Sequence, residues 1–410
     1  MAKLIIHRGT REIGGSAVEI FCKKARLLFD FGIPLETMVK DDWKIEDYKL
    51  PINGLYKSEK SNFDAVFLTH AHPDHYGLIQ LINSKIPIYT SKITYDILTK
   101  ISPLLPKQSD DRLNLKILDG EINFDGIKII PHNVDHSIAG ACAYEIQTDC
   151  KTILYTGDIR FHGRASWQSS ILKRKIKNSD YLIMEGTTLG RDEQNIITEQ
   201  DLEEQFVKVF KEDKLPLVQF SPQNIDRFVT IYRACLNTNK ILVIDPYTAY
   251  VLEVFSSISK HIPQFDWNNI KVNFAKSDIN KKLAQTKDLF KYKSKKITLE
   301  EIINNPQKYV VKGNSRINRQ ILSRLDKNEV HIIFSMWKGY LDRPSWFDNY
   351  KDIITPLHTS GHAYIKDLQE FVQKIKPKVI IPIHTELPEK YAELYDTEIK
   401  ILKDGEILNL

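Results

Sequence analysis

Cysteine is scarce in this chain: there are four in 410 residues (Cys22, Cys142, Cys150 and Cys235), and no two form a C-x-x-C pair. This spacing excludes a disulfide framework and a cysteine-held zinc site, and free thiols in a reducing cytoplasm are the expectation. No run of about 18 apolar residues occurs, so no membrane span is expected. The opening Met-Ala-Lys-Leu-Ile-Ile-His-Arg is too short in apolar length for a signal peptide. Internal repeats, low-complexity tracts and Gly/Ser-rich linkers are lacking too, which argues for an inserted domain rather than domains strung in series. Charge of one sign is not in excess over most of the chain. The net +5 arises from residues 191–355, with 26 Lys and Arg against 21 Asp and Glu, while the remainder is balanced. An anionic partner fits that segment, and so does a lysine-rich solvated surface.

What is present is a change of texture near residue 190. Before it, residues 3–7, 16–22, 26–31, 65–68, 128–131, 143–146 and 152–155 read as short strands, with a helix expected over 76–82. After it, strands at 216–220, 241–244, 309–311 and 331–334 alternate with helices at 202–210, 224–235 and 249–258, the pattern of an α/β layer on a parallel sheet. A helix at 368–375 and a buried strand at 379–383 close the chain.

The densest chemistry is His70-Ala71-His72-Pro73-Asp74-His75. Alternate residues on an extended chain share a face, so His70 and His72 reach one ion. Asp74 and His75 follow as the chain turns into a helix and point towards a second. Imidazole and carboxylate suit zinc, and also manganese or iron. Six residues cannot close two sites. His136, Asp158 and His384 each lie at or just beyond the end of an apolar strand, where the first cluster also lies. His132 and Asp135 compete with His136, with a supporting role the better reading for both.

Together these residues resemble the metallo-β-lactamase superfamily from end to end of the chain. The resemblance implies an αββα sandwich with one metal on His70, His72 and His136, another on Asp74, His75 and His384, and Asp158 shared. Two further motifs, Leu182-Ile183-Met184-Glu185-Gly186-Thr187 and Thr359-Ser360-Gly361-His362-Ala363, complete a Glu, His, His series with His384. That series is similar to motifs A, B and C of the β-CASP nucleases, the group that includes ribonuclease J. By that resemblance residues 1–190 and 356–410 form the lactamase domain and 191–355 an inserted α/β β-CASP domain. Histidine at motif C is the version associated with RNA. The chain stops 26 residues after His384, without the long C-terminal domain common in ribonuclease J, so oligomeric state and cleavage polarity do not transfer.

The function expected is a metal-dependent ribonuclease. Two divalent ions, zinc with manganese as the alternative, would share a hydroxide that attacks the phosphodiester. His362 would protonate the leaving oxygen, Glu185 would orient it, and Asp74 would serve as ligand and catalytic carboxylate. Candidate substrate contacts are Ser360 and Gly361, Asn224 ahead of a helix, and Trp337 with Lys338 after a strand. Residues 281–296 hold seven lysines and one acid, Asp288, with Phe290 and Tyr292 among them, which suits single-stranded RNA or a plain solvated face. The partners expected are single-stranded RNA, no membrane, and a homodimer as an option. A DNA nuclease, a small-ester or lactone hydrolase and a non-catalytic RNA-binding scaffold are the competing readings.

Overall fold

The computed structural model describes residues 2–23, 25–39, 43–105, 113–191, 196–287, 289–342 and 346–410. The chain divides into two units, one within 1–103, 107–196 and 361–410, the other within 104–106 and 197–360.

In the first unit, strand Lys3–Arg8 alternates half-buried and buried positions, as a sheet with one covered face requires. It lies in a seven-stranded sheet ordered Ile407–Asn409, Lys3–Arg8, Ala17–Phe21, Arg26–Phe29, Ala65–Phe67, Ile88–Thr90 and Leu115–Ile117. A second seven-stranded sheet runs Glu398–Ile399, Val379–Ile383, Tyr181–Glu185, Thr152–Tyr155, Cys142–Gln147, Ile127–Asn133 and Ile122–Phe124. The period of two decides which side chains go where. Ile153, Tyr155, Ile183, Ile381 and Ile383 join Leu4, Ile6, Val18, Phe29 and Phe67 in one core. The intervening Leu154, Leu182, Met184 and Ile380 face the other way, into a second core with Leu172, Leu368, Phe371 and Ile375. Those last four belong to helices Ser166–Lys175 and Ile365–Ile375. The arrangement is the expected α/β sandwich.

One consequence of this topology positions the chemistry. Strands Thr152–Tyr155, Tyr181–Glu185 and Val379–Ile383 are mutually parallel neighbours, with Tyr155 opposite Ile183 and Glu185 opposite Ile383. Their C-terminal ends therefore share one edge, and Asp158, Glu185 and His384 lie there.

The second unit has a seven-stranded, all-parallel sheet ordered Lys296–Ile297, Ile270–Asn273, Ile241–Ile244, Tyr309–Lys312, Leu215–Gln219, Val330–Phe334 and Ile354–Pro356. Helix Glu199–Phe210 leads into its first strand, and helices Ile225–Asn237, Pro246–Phe255 and Ser315–Leu322 connect later ones. The unit begins and ends a few residues beyond the 191–355 expected. Thr198 caps its first helix, and residues after Pro356 continue its edge strand through the bond from Leu357 N–H to the Phe334 carbonyl.

The helix expected over 76–82 is a correction. The α-helix is Pro73–Tyr76, it stops at Gly77, and a short 3-10 turn Ile79–Leu81 follows. Among the described residues no helix is long and apolar enough to cross a membrane.

Candidate metal centre

Strand Ala65–Phe67 delivers the chain to His70, and His72 caps the helix whose first turn holds Asp74 and His75. Backbone bonds clamp that turn: Ser16 N–H donates to the Asp74 carbonyl at 3.1 Å, and Phe31 N–H to the His75 carbonyl at 2.7 Å. Gly32 lies so close that a β-carbon there would stand 1.6 Å from the Asp74 carbonyl oxygen. Gly157, at φ +53°, brings the Asp158 loop against Thr69 in the same way.

Three groups of ligand atoms converge, each with its atoms within 4.8 Å of one another: His70, His72, His136 and Asp158; Asp74, His75, Asp158 and His384; and Asp158, Glu185, His362 and His384. In the first, His72 Nδ1 is 3.0 Å from both His70 Nε2 and His136 Nε2. Asp158 Oδ2 lies 3.6 Å from His70 Nε2 and 3.7 Å from His136 Nε2. In the second, His384 Nε2 is 3.2 Å from Asp74 Oδ2 and 3.8 Å from Asp158 Oδ1. His75 Nε2 is 3.3 Å from Asp158 Oδ2. His362 Nδ1 stands 2.8 Å from Glu185 Oε2 and 3.8 Å from Asp158 Oδ2. His384 has φ +54°, a left-handed backbone rare outside glycine, so its position is held against local preference.

A second layer of groups sets which nitrogen each imidazole turns inward. Asp30, wholly buried, accepts from Thr69 N–H at 2.7 Å, His75 Nδ1–H at 2.8 Å and Tyr155 O–H at 2.8 Å. The single hydroxyl proton of Thr69 goes to Asp30 Oδ2, 2.8 Å away, so its oxygen accepts from His70 Nδ1, 3.0 Å away. Thr187 works the same way: it donates to Glu185 at 2.5 Å and accepts from His384 Nδ1 at 2.8 Å. His70, His75 and His384 are thereby left with Nε2 lone pairs facing the cluster. Sequence reasoning missed Asp30, Thr69 and Thr187. The one signal for Asp30 was its place at a strand end, ahead of Gly32.

The electrostatics suit a cation. Burial holds His70 and His136 well below the ordinary imidazole range and His72 at about 4. Burial also opposes charge on His75, but Asp158, Asp30 and Asp74 outweigh it and lift that group well above its usual value. Against the same burial penalty, His75 and His384 hold Asp74 at about 2. His384, His75 and His362 likewise hold Asp158 well below the carboxylate range. Burial opposes charge on His362 too, yet Glu185 and Asp158 raise it. His75 Nε2 and Asp158 Oδ1 are buried without an aligned hydrogen bond. A divalent cation satisfies both, and an all-nitrogen-and-oxygen donor set accepts one. The residues present therefore fit divalent metal.

Gly361 lies against this centre, since a β-carbon there would be 2.7 Å from Ser137 Oγ and 3.5 Å from His136 Cε1. Ser360 precedes it as the last residue of the second unit. Asn224 caps helix Ile225–Asn237, its side chain accepting from Arg227 N–H at 3.1 Å. Trp337 is 47% exposed, its ring 5.5 Å from that of Tyr340, and Lys338 is exposed. In the lysine-rich stretch, Phe290 is exposed and Tyr292 buried, while Lys291 pairs with Glu253 and Lys295 donates to the Trp267 carbonyl. Asp288 lies outside the described residues. His132 pairs with Glu145 at 2.9 Å and is absent from the metal groups. Asp135, paired with buried Arg160 at 3.1 Å, accepts Gly163 N–H and braces the His136 loop.

Residues 49–218 match the family described as the beta-lactamase superfamily domain. Residues 350–399 match the Zn-dependent metallo-hydrolase RNA specificity domain. Ribonuclease J of Sinorhizobium meliloti is 21% identical over 89% of this chain and 66% of its own length. Ribonuclease J of Mycoplasma pneumoniae is 23% identical over 94% of this chain and 68% of its own. The transcription termination factor FttA of Methanococcus maripaludis is 28% identical over 50% of this chain and 34% of its own. The chain thus spans about two thirds of the length of these ribonuclease J relatives. A solved structure from Enterococcus faecalis, titled a protein of unknown function, superposes with a TM-score of 0.81 at 23% identity, covering the whole of both chains. By these matches the chain is similar to the metallo-β-lactamase superfamily and, within it, to the β-CASP nucleases that include ribonuclease J.

Proposed function

We propose that the chain is a metal-dependent ribonuclease that hydrolyses single-stranded RNA. Two ions, zinc with manganese as a substitute, would be held by His70, His72 and His136 and by Asp74, His75 and His384, with Asp158 common to both. Bound there, such ions make water nucleophilic near neutral pH and offset phosphate charge. The rest is the work of side chains. Burial of the donor set keeps bulk water from screening it. Glu185 receives Nδ1–H of His362 at 2.8 Å, fixing the tautomer and favouring the charged ring. The other ring nitrogen then gives a proton to the departing sugar oxygen. Asp74 Oδ2 and His384 Nε2, 3.2 Å apart and both acceptors, would face the same ion. Gly361 leaves room beside His136 and Ser137 that a side chain would fill. Trp337 and Lys338, exposed on the second unit, are the proposed stacking and phosphate contacts, and Ser360 a further one. Asn224 contributes through its helix cap.

The observation that carries this reading is the Glu185–His362 pair beside the clustered donors, with His362 and His384 inside the segment that matches an RNA specificity family. The test is metal-reconstituted protein with 5′- and 3′-labelled single-stranded RNA and DNA, alongside Asp158→Ala. The expected result is cleavage of RNA that the variant abolishes. Cleavage of DNA alone moves the assignment to a DNA nuclease, and cleavage of neither removes nuclease activity altogether.

A further inference from the structure

Arg227 is a wholly buried guanidinium in the second unit, far in sequence from every donor discussed above. It sits in the first turn of helix Ile225–Asn237, and its fork is filled. Nε and NH2 donate to the two oxygens of buried Glu199 at 3.4 and 3.1 Å. NH1 donates to the Ser335 carbonyl at 3.0 Å and its hydroxyl at 2.5 Å, and approaches His358 Nδ1 at 3.3 Å. NH2 also donates to the Thr359 carbonyl at 3.4 Å. Ser335 Oγ in turn donates to the Leu357 carbonyl at 2.5 Å.

The carbonyls of Leu357 and Thr359 are two residues apart, the spacing at which an extended chain turns them to the same side. Both are held by one network centred on Arg227. The other end of the unit is tied in as well: Glu199 follows the capping Thr198, and Thr359 Oγ1 donates to the Ile197 carbonyl. The points where the chain enters and leaves the second unit are thus fastened together three residues before His362.

We propose that Arg227 is a positioning residue for the hydrolytic centre: it fixes segment 357–359 and so sets where Ser360, Gly361 and His362 stand. The proposal rests on the ribonuclease reading with His362 as proton donor. Among the described residues the Arg227 side chain bonds Glu199, Ser335, His358 and Thr359, none of them a donor of the cluster. It acts through backbone continuity, and a guanidinium is needed because a lysine ammonium cannot serve Glu199, Ser335 and Thr359 from one plane. Misplacement of a reacting group by about 1 Å costs on the order of 100-fold in rate.

The experiment compares wild type, Arg227→Lys, Arg227→Gln and Ser335→Ala as full-length, metal-reconstituted proteins. Circular dichroism, bound metal per chain, and kcat and KM on single-stranded RNA are measured. Arg227→Lys keeps a cation beside Glu199 and is expected to fold and to bind metal at the wild-type ratio. Its kcat is expected to fall roughly 10- to 100-fold with KM within threefold, and Arg227→Gln is expected to fall further. Ser335→Ala, which removes the hydroxyl that accepts from Arg227 NH1 and donates to the Leu357 carbonyl but leaves the Glu199 and Thr359 bonds in place, is expected to lose roughly 3- to 10-fold in kcat, a milder form of the same effect. If Arg227→Lys folds and turns over like wild type, the proposal is overturned. If neither Arg227 variant folds, Ser335→Ala decides alone, and a wild-type kcat there overturns it. Wild type that cleaves no RNA defeats the ribonuclease reading itself, a distinct outcome.

Discussion

Asp30→Asn is the sharpest probe of how the donor set is held. Asp30 has no free capacity: Oδ1 accepts Thr69 N–H, and Oδ2 accepts the Thr69 hydroxyl, His75 Nδ1 and the Tyr155 hydroxyl. An amide is nearly the same shape but turns one acceptor into a donor. With the NH2 in the Oδ2 place, it faces His75 Nδ1–H and Tyr155 O–H, both of which donate. Flipped, it faces Thr69 N–H. Either orientation strands a buried donor, at about 1–3 kcal/mol each. The His75 tautomer is no longer fixed with its lone pair inward, and loss of such an orienting partner typically weakens metal binding 10- to 100-fold, about 1.4–2.7 kcal/mol. The assay is competition with a chelator of known affinity, with thermal melts of metal-free and metal-loaded protein. Affinity should fall in that range, and the metal-free melt should drop as well. A variant that retains wild-type affinity for both equivalents of metal would falsify the claim that Asp30 orients His75.

Five more variants have expected outcomes. His362→Ala should keep its metal, as measured by bound metal per chain, yet lose roughly 10²–10⁴-fold in kcat on RNA. Glu185→Gln should lose less in kcat, since the amide oxygen still accepts Nδ1–H while the charge that favours protonated His362 is gone. Gly32→Ala forces a methyl to 1.6 Å from the Asp74 carbonyl and should cost more than about 3 kcal/mol in a denaturant melt, with metal affinity falling alongside; Gly120→Ala, with nothing within 4 Å, meets only the strain of φ +96° and should cost about 1–2 kcal/mol. In metal-free protein Asp74 is depressed from 3.8 to about 2; a carboxyl depressed by folding stabilises above its unfolded value and loses that contribution as pH falls through the folded one, so Asp74→Asn should flatten the acid dependence of stability between about pH 4 and 2.

What could be read from the sequence follows from how local each feature is. His70 to His75 lie within six consecutive residues, so their shared chemistry shows without any fold. The alternating strands and helices of the second unit announce a parallel sheet for the same reason. Strands of three residues such as Ile88–Thr90 and Leu115–Ile117 carry too few positions for a period, and their sheet neighbours alone define them. The helix misplaced over 76–82 shows the converse, an apolar run that Gly77 and tertiary packing break. His136, Asp158 and His384 stood out by their place at strand ends, and the structure brings them to the same cluster, but the groups that orient the imidazoles did not stand out. Asp30 meets Thr69 39 residues on and Tyr155 125 residues on, and Thr187 meets His384 across 197. Asp, Thr and Tyr are ordinary residues whose role exists only once two strand ends are adjacent. A motif thus names the donors, while the protons that decide whether each imidazole can donate are placed by residues no motif contains. For that reason Asp30 and Thr187 test the metal centre more stringently than its own ligands: removing a ligand abolishes binding whatever the mechanism, whereas an isosteric change at Asp30 fails only if the tautomers matter.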